Sequence, residues 1–301
     1  MGTISARTTP ANRARAAPSL AVSSRSADIQ AGTLMMRDDE LPSLDLLGRD
    51  LLDVRASRRL LSLSAPFLLT IAFFAFAASG LWAASVACTM LLTFLTYGSI
   101  SHDLVHGTLG LPRALNESLL CGIELITFRS GHAYRVVHLH HHAHFPAPHD
   151  LEGAAAGMTW WQALLDGITL QPRLWRFAFR RGRHRAWIGG EALAVLTLFA
   201  GSIVAIPWTI APVIYAGLTI AGSWLFPFIT SFIPHDPKGD SELTRTRLFR
   251  GRMLSIVALE HLYHLEHHLY PQVPHHNWPE LARRLDPYFA AAGLRPLTLL
   301  F

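Results

Sequence analysis

Two long stretches without a charged residue restrict the fold of this chain. Residues 60–101 and 192–234 contain no Asp, Glu, Lys or Arg, and half of the whole sequence is hydrophobic. A membrane-spanning helix needs about 20 apolar residues, so each stretch has the length of two spans. Ser79-Gly80 interrupts the first stretch and the segment IPWTIAP interrupts the second. The pattern predicts two membrane hairpins, with helices over about 61–79, 81–100, 187–206 and 212–231.

The arginines give these hairpins an orientation. They cluster before the first hairpin, between the hairpins and after the second, whereas neither hairpin turn carries one. By the positive-inside rule, the N-terminus, the middle loop and the C-terminal region then lie in the cytoplasm. We expect an all-α, multi-pass integral membrane protein with a cytoplasmic helical cap, in a bacterial inner membrane. A soluble protein with two buried hairpins is the alternative, although buried helices are usually shorter and more often interrupted by polar residues.

The N-terminal region differs in composition from the rest. Residues 1–27 contain four arginines, no acidic residue and no apolar segment of signal-peptide type. This composition fits a disordered tail or an organelle transit peptide. We predict a disordered or weakly ordered tail over residues 1–50 and one integral-membrane domain over 51–301. The net charge is only +5, and the membrane topology accounts for the arginines, so no nucleic-acid partner is expected.

Two further stretches have the mixed character of helices at a membrane surface. Residues 158–175 combine three tryptophans with polar residues, and residues 115–128 are apolar but too short and too acidic to span a bilayer. Both suit helices that lie at the headgroup boundary. Ordinary amphipathic packing against the domain is the alternative.

Histidine is concentrated in two zones. Eight of the 17 histidines lie between His102 and His144, and seven lie between His235 and His276. Within these zones the pattern H-x-x-H-H occurs twice, and an H-x-x-x-H pair precedes it. The three boxes are His102 and His106; His138, His141 and His142; and His264, His267 and His268.

The spacing of the boxes favours metal binding. Residues at i, i+3 and i+4 share one helical face, and both zones lie on the same predicted side of the membrane. Buried imidazoles without partners are costly, whereas imidazoles bound to metal are satisfied. Imidazole suits zinc, copper, nickel and iron, and eight ligands exceed the needs of one ion. His140 and His144 form another i,i+4 pair that points away from the second box.

Three motifs together resemble the membrane-bound fatty-acid desaturase and hydroxylase superfamily. They are HDLVHG, HLHHHAH and YHLEHHLYPQVP, in this order, and they accompany two membrane hairpins. The resemblance covers residues from about 55 to 286. It implies a non-haem di-iron oxidoreductase that uses O₂ as co-substrate.

The resemblance also implies the iron ligands. His235, in IPHDP after the last predicted span, matches a further ligand that family members often have, whereas His261 matches less well. Asp103 could accept a hydrogen bond from a ligand ring, or it could be a solvated carboxylate at a helix end. The implied ligands are His102, His106, His138, His141, His142, His235, His264, His267 and His268.

The substrate and the electron donor are less sharply indicated. HDLVHG, RVVHLHHHAH and FIPHDP are similar to carotenoid hydroxylases and ketolases, while YHLEHHLYPQVPHHNWPEL resembles acyl desaturases. We expect fatty-acyl desaturation, with carotenoid ring oxidation as the alternative. The chain carries no nicotinamide, flavin or haem motif, so electrons are expected from a ferredoxin or a cytochrome b5-type protein. The arginine-rich segment 173–185 could bind such an acidic carrier, or it could simply reflect the topology.

A metal transporter with histidine-rich loops is an alternative of another class. Transporters place ionisable residues within the spans, where the ion crosses the membrane. The two apolar stretches contain no charge and no histidine, and low-complexity loops do not repeat H-x-x-H-H. Metal stoichiometry separates the two classes, because the enzyme holds iron in pairs.

Overall fold

The computed structural model describes residues 41–251 and 261–299, and all structural statements below refer to them. The chain is mainly helical, as predicted. Its α-helices are α1 (Leu44–Leu47), α2 (Ala56–Ala78), α3 (Trp82–Leu95), α4 (Ser101–His106), α5 (Arg113–Leu125), α6 (Gly131–His144), α7 (Trp160–Arg180), α8 (Arg185–Val204), α9 (Ala211–Ser223), α10 (Glu242–Arg245), α11 (His264–Leu269) and α12 (Trp278–Ala291). Short 3-10 turns cover Arg49–Leu52, Gly153–Gly157 and His275–Asn277.

Four helical segments are long and apolar enough to cross a membrane, which confirms the prediction of two hairpins. They are Arg49–Ala78, Trp82–His106, Arg185–Val204 and Ala211–Phe232. Gly80 closes the first hairpin with a φ of +74°, a left-handed conformation that suits glycine. Side chains such as Leu61, Leu193 and Val204 are exposed along these helices. In a bilayer, this outward apolar surface faces the lipid chains.

Two π-helical turns connect the membrane helices to the histidine-bearing region. One, Thr96–Ile100, lies between α3 and α4, and the other, Pro227–Phe232, follows α9. Each π turn inserts an extra residue into the helical repeat and re-aims the side chains that follow. His102 comes directly after the first π turn and His235 follows the second.

Buried ion pairs tie the histidine-bearing helices to the membrane helices. The Arg129 guanidinium donates to both carboxylate oxygens of Glu124, at 2.7 and 2.9 Å, and to Thr96 Oγ1 at 2.7 Å. His132 lies between Glu191 of α8 and Glu117 of α5, at 2.7 Å from each. Paired and hydrogen-bonded charges of this kind can be buried without the full desolvation penalty.

The two predicted surface helices are present as α5 and α7. α7 is longer than the predicted segment, and it exposes Trp160, Trp161, Leu165 and Ile168 on one side. An exposed apolar face on a half-polar helix is what a headgroup boundary accepts. Their position relative to a membrane stays a prediction.

Residues just ahead of position 51 pack against the C-terminal helix α12. Leu47 and Leu51 are buried together with Leu281 and Leu285 of α12, and Arg284 binds the Asp50 carboxylate at 2.6 Å. A short parallel strand pair lies nearby, formed by β1 (Phe249–Gly251) and β2 (Leu297–Leu299). Residues 1–40 of the tail predicted over residues 1–50 lie outside the described residues, so the domain boundary stays a prediction.

Candidate metal centre

All nine histidines expected from the sequence lie together at one end of the membrane helices. α4 supplies His102 and His106, α6 supplies the second box, and α11 supplies the third. His235 comes from the turn after the second π-helical segment. Segments separated by more than 100 residues therefore meet at one site.

The nine imidazoles divide into two groups. Within each group, one ring nitrogen of every histidine lies within 4.8 Å of the others, as expected for ligands around a single ion. The first group is His102, His106, His138, His142 and His267; the second group is His141, His235, His264 and His268. Both groups present Nε2 atoms: His102 and His267 approach to 2.9 Å, and His235 and His268 to 3.1 Å.

Each H-x-x-H-H box contributes to both groups. In α6, His138 and His142 join the first group while His141 joins the second. In α11 the roles are exchanged: the outer pair, four residues apart, joins the second group and His267 joins the first. An i,i+4 pair projects in one direction along a helix, and the residue at i+3 lies about 60° further round. The box motif thus lets one helix bridge two adjacent sites.

Carboxylates orient two of the rings through Nδ1, the ring nitrogen that does not face the other imidazoles. Asp150 accepts a hydrogen bond from His141 Nδ1 at 2.7 Å, and Glu152 accepts one from His138 Nδ1 at 3.0 Å. A proton held on Nδ1 leaves the Nε2 lone pair free and makes the imidazole a stronger ligand. His235 is oriented similarly, because its Nδ1 lies 3.1 Å from the Ser231 carbonyl oxygen.

Burial keeps most of these imidazoles neutral. It lowers the pKa of His264, His267 and His268 well below the usual histidine range, and the neighbouring histidines add to the effect. His141 differs: burial opposes its charge, yet the hydrogen bond to Asp150 gives a net raised pKa. Neutral imidazole is the form that binds metal, so the electrostatics of the site match its geometry.

The structure shows neither role considered for Asp103, because this carboxylate is buried and binds a histidine outside both groups. Its carboxylate lies 2.6 Å from His275 Nδ1 and accepts the His275 backbone N–H at 3.0 Å, so it orients no ring of either group. The helix turns Asp103 away from His102, because adjacent residues point about 100° apart. His261 also stays outside both groups. Its ring stacks on Phe94 at 4.7 Å.

Sequence reasoning missed Asp150 and Glu152. The available signal was two carboxylates in the loop directly after a histidine box, since ligand histidines commonly donate to carboxylates. Loop residues carry no periodicity, however, so the sequence could not show which carboxylates turn back toward α6.

The donor set fits a transition metal. Both groups consist of imidazole alone, the nitrogens converge, and the rings are largely buried. Imidazole suits iron, zinc, copper and nickel, whereas magnesium and calcium prefer oxygen ligands. The two groups can therefore each hold a metal ion.

An apolar groove lies between α3 and α9. It has a volume of about 470 Å³, and Phe94, Phe226 and Ile229 are among the residues that line it. A small cavity of about 20 Å³ is also lined by Ile229, together with Gly98 and His102. The groove and the cavity thus adjoin at one residue.

Comparison with known proteins assigns the family. The family model described as fatty acid desaturase matches residues 79–298, which include every histidine of both groups. The chain belongs to the fatty acid desaturase family. Over 207 residues it is also 28% identical to the β-carotene ketolase of Paracoccus sp. (strain N81106 / MBIC 01143), covering 65% of this chain and 78% of the ketolase. The resemblance seen in the sequence is confirmed, and the two matches together support an oxidoreductase.

Proposed function

We propose that this desaturase-family protein oxidises unactivated C–H bonds of a membrane lipid, with two non-haem iron ions and O₂. The single observation that carries the proposal is the division of nine imidazoles into two adjacent groups. We assign His102, His106, His138, His142 and His267 to one iron, and His141, His235, His264 and His268 to the other. A transporter is disfavoured, because the only box histidines within a described candidate span, His102 and His106, lie in its last turns and not near its middle.

Two bound irons would supply the activation of O₂ that attack on an aliphatic C–H bond requires. The chain's own residues then have three tasks. Asp150 and Glu152 keep the Nδ1 protons in place. Buried Tyr97 and Tyr134, whose rings stack at 4.4 Å, exclude water beside the small cavity. The apolar groove aligns an elongated substrate.

The overall reaction requires external electrons. Hydroxylation places one atom of O₂ in the substrate and reduces the other to water, using two electrons and two protons. Desaturation removes two hydrogens and reduces both oxygen atoms to water, with the same two electrons. We propose a ferredoxin or a cytochrome b5-type protein as donor. We further propose that the cap and both chain ends are cytoplasmic, in a bacterial inner membrane.

Two substrates remain to be separated. Sequence reasoning favoured a fatty-acyl chain, whereas the relative named as a β-carotene ketolase favours a carotenoid ring. That relative is aligned over 78% of its length, so we take carotenoid oxidation as the leading substrate hypothesis and acyl desaturation as the second. An apolar groove of about 470 Å³ suits either long hydrocarbon.

The test is mass spectrometry of lipids and pigments from a host that makes both β-carotene and ordinary phospholipids. The wild-type chain is compared with His264→Ala, which removes one imidazole of the second group. The matched control is His184→Asn, because His184 lies outside both groups and Asn tolerates its φ of +59°.

Carotenoid carrying new oxygen with the wild-type and control chains would support ring oxidation, and acyl chains lighter by two hydrogens would support desaturation. Either product should be absent with His264→Ala. Full activity of His264→Ala would contradict the ligand assignment. Iron per chain in the purified proteins tests the centre independently of the substrate.

A further inference from the structure

A third group of imidazoles lies on the other side of α6, away from both box groups. One ring nitrogen from each of His140, His144 and His149 lies within 4.8 Å of the other two. The ring centroid of His140 is 3.9 Å from that of His144 and 5.3 Å from that of His149. His140 is buried, whereas the other two are exposed to solvent.

The three side chains are arranged as potential ligands. His144 Nδ1 donates to the His140 carbonyl oxygen at 2.9 Å, which leaves the His144 Nε2 lone pair free. The His140 ring rests against Phe177 at 5.1 Å, which holds it in place. If these histidines were simply solvated residues on a helix surface, all three rings would be exposed. Instead the His140 ring is buried and held in place next to the two exposed rings.

We propose that His140, His144 and His149 form a third, peripheral metal site that binds one borderline divalent cation such as Zn²⁺. Three imidazoles with an i,i+4 pair on a helix are a common zinc donor set, and solvent water completes an open coordination sphere. Copper(II) would bind more tightly than zinc at the same nitrogens. Magnesium and calcium would bind poorly, because they prefer oxygen ligands.

Occupancy of this site bears on the main centre through the loop after α6. His149 directly precedes Asp150, whose carboxylate orients His141 at 2.7 Å. Backbone hydrogen bonds from Ala147 to His144 and from Asp150 to Ala147 shape this loop, at 2.7 and 2.9 Å. A cation that holds His149 against α6 would fix the segment that carries Asp150. The peripheral ion would thus stabilise the hydrogen bond between Asp150 and His141 of the second group.

Arg181 opposes cation binding at this site. Its Nη2 lies 3.3 Å from His140 Nε2, and its guanidinium also lies over the Phe177 ring. A fixed positive charge this close repels a divalent cation and competes for a ligand nitrogen. Removing the charge in Arg181→Gln should tighten zinc binding by about fivefold at moderate salt.

The experiment measures zinc and iron per chain after equilibrium dialysis against a zinc buffer. The full-length protein is purified in detergent without a polyhistidine tag and loaded with iron beforehand. Wild type is compared with His144→Ala/His149→Ala, with His149→Ala alone, and with Arg181→Gln. The matched control is His184→Asn, which alters a histidine outside all three groups.

Wild type and the control should bind one zinc per chain more than the double variant, at equal iron content. The Arg181→Gln curve should shift to lower free zinc. Equal zinc in wild type and the double variant would overturn the proposal, as would zinc uptake matched by iron loss. If the double variant folds poorly, His149→Ala decides the matter, because this exposed loop residue leaves α6 intact. Iron content reports separately on the proposed di-iron centre.

Discussion

The two supporting carboxylates should control different irons. Asp150 holds His141 of the second group, and Glu152 holds His138 of the first. We consider Asp150→Asn and Glu152→Gln, which keep the side-chain shape and a hydrogen-bond acceptor but remove the negative charge. Each variant should therefore lower the iron affinity of the histidine group that it supports. The affinity of the other group should stay unchanged.

The expected magnitude follows from the geometry. Loss of such a supporting partner typically weakens metal binding by about 10- to 100-fold, or about 1.4 to 2.7 kcal/mol. The Asp150 contact is shorter, 2.7 Å against 3.0 Å, and both of its side chains are only 1% exposed. Weak solvent screening makes a buried charge more effective. Asp150→Asn should thus lie near the upper end of the range and Glu152→Gln nearer the lower end.

Competition with a chelator, followed by iron analysis of the purified protein, measures this difference. Each single variant should retain one iron tightly and release the other at lower chelator concentration, while the double variant should release both. Asp45→Asn is the control, because Asp45 is exposed and pairs with Arg49, away from both histidine groups. If each single variant loosens both irons equally, the division into two groups is wrong. If neither iron is loosened, the carboxylates do not support the ligands.

Three further predictions concern the small cavity, the core and the pH response. A Cβ on Gly98 would lie 2.3 Å from the His261 ring, so Gly98→Ala should displace this ring beside the cavity and lower turnover at least severalfold. Unchanged turnover at unchanged iron content would contradict it. Glu124→Gln leaves the buried charge of Arg129 without its partner and should destabilise the protein by about 3–5 kcal/mol; the unfolding midpoint in detergent should fall well below that of wild type. Burial lowers the pKa of His261 and His276 to about 4, so the unfolded chain takes up protons near pH 6.5 and the native protein does not. The metal-free protein should therefore lose stability as pH falls from about 6.5 to 4. His276→Gln should flatten that slope, and a denaturation midpoint that rises on acidification would refute the assignment.

The membrane helices were predictable because their signal is local. A charge-free stretch of suitable length can satisfy its backbone in a bilayer only as helix, and Gly80 and Pro207 mark where the helices must turn. The predicted and observed helices differ by a few residues at their ends. The π turns, in contrast, could not be predicted, because an extra residue in a helical turn leaves no periodic mark in the sequence.

The partners of the buried charged side chains could not be predicted from the sequence. Glu124 and Arg129 are five residues apart, and nothing in their spacing identifies them as a buried pair. Glu191 directly precedes an apolar stretch and could have been a residue at the membrane boundary. The packing of α5, α6 and α8 in the structure shows which partners these buried side chains bind. Glu124 binds Arg129, and Glu191 binds His132.

The sequence by itself predicted nine histidines at one centre, through the spacing of the boxes and the family resemblance that added His235, and the structure brings these nine imidazoles together. It also predicted that the boxes share one side of the membrane, through the lengths of the apolar stretches and the placement of arginine, and this topology stays a prediction. Tertiary structure alone decided how the histidines divide between two groups, and that Asp150 and Glu152 support them while Asp103 binds His275. The reason is physical: a periodic pattern constrains directions within one helix, whereas ligand partners depend on how separate helices and loops pack together.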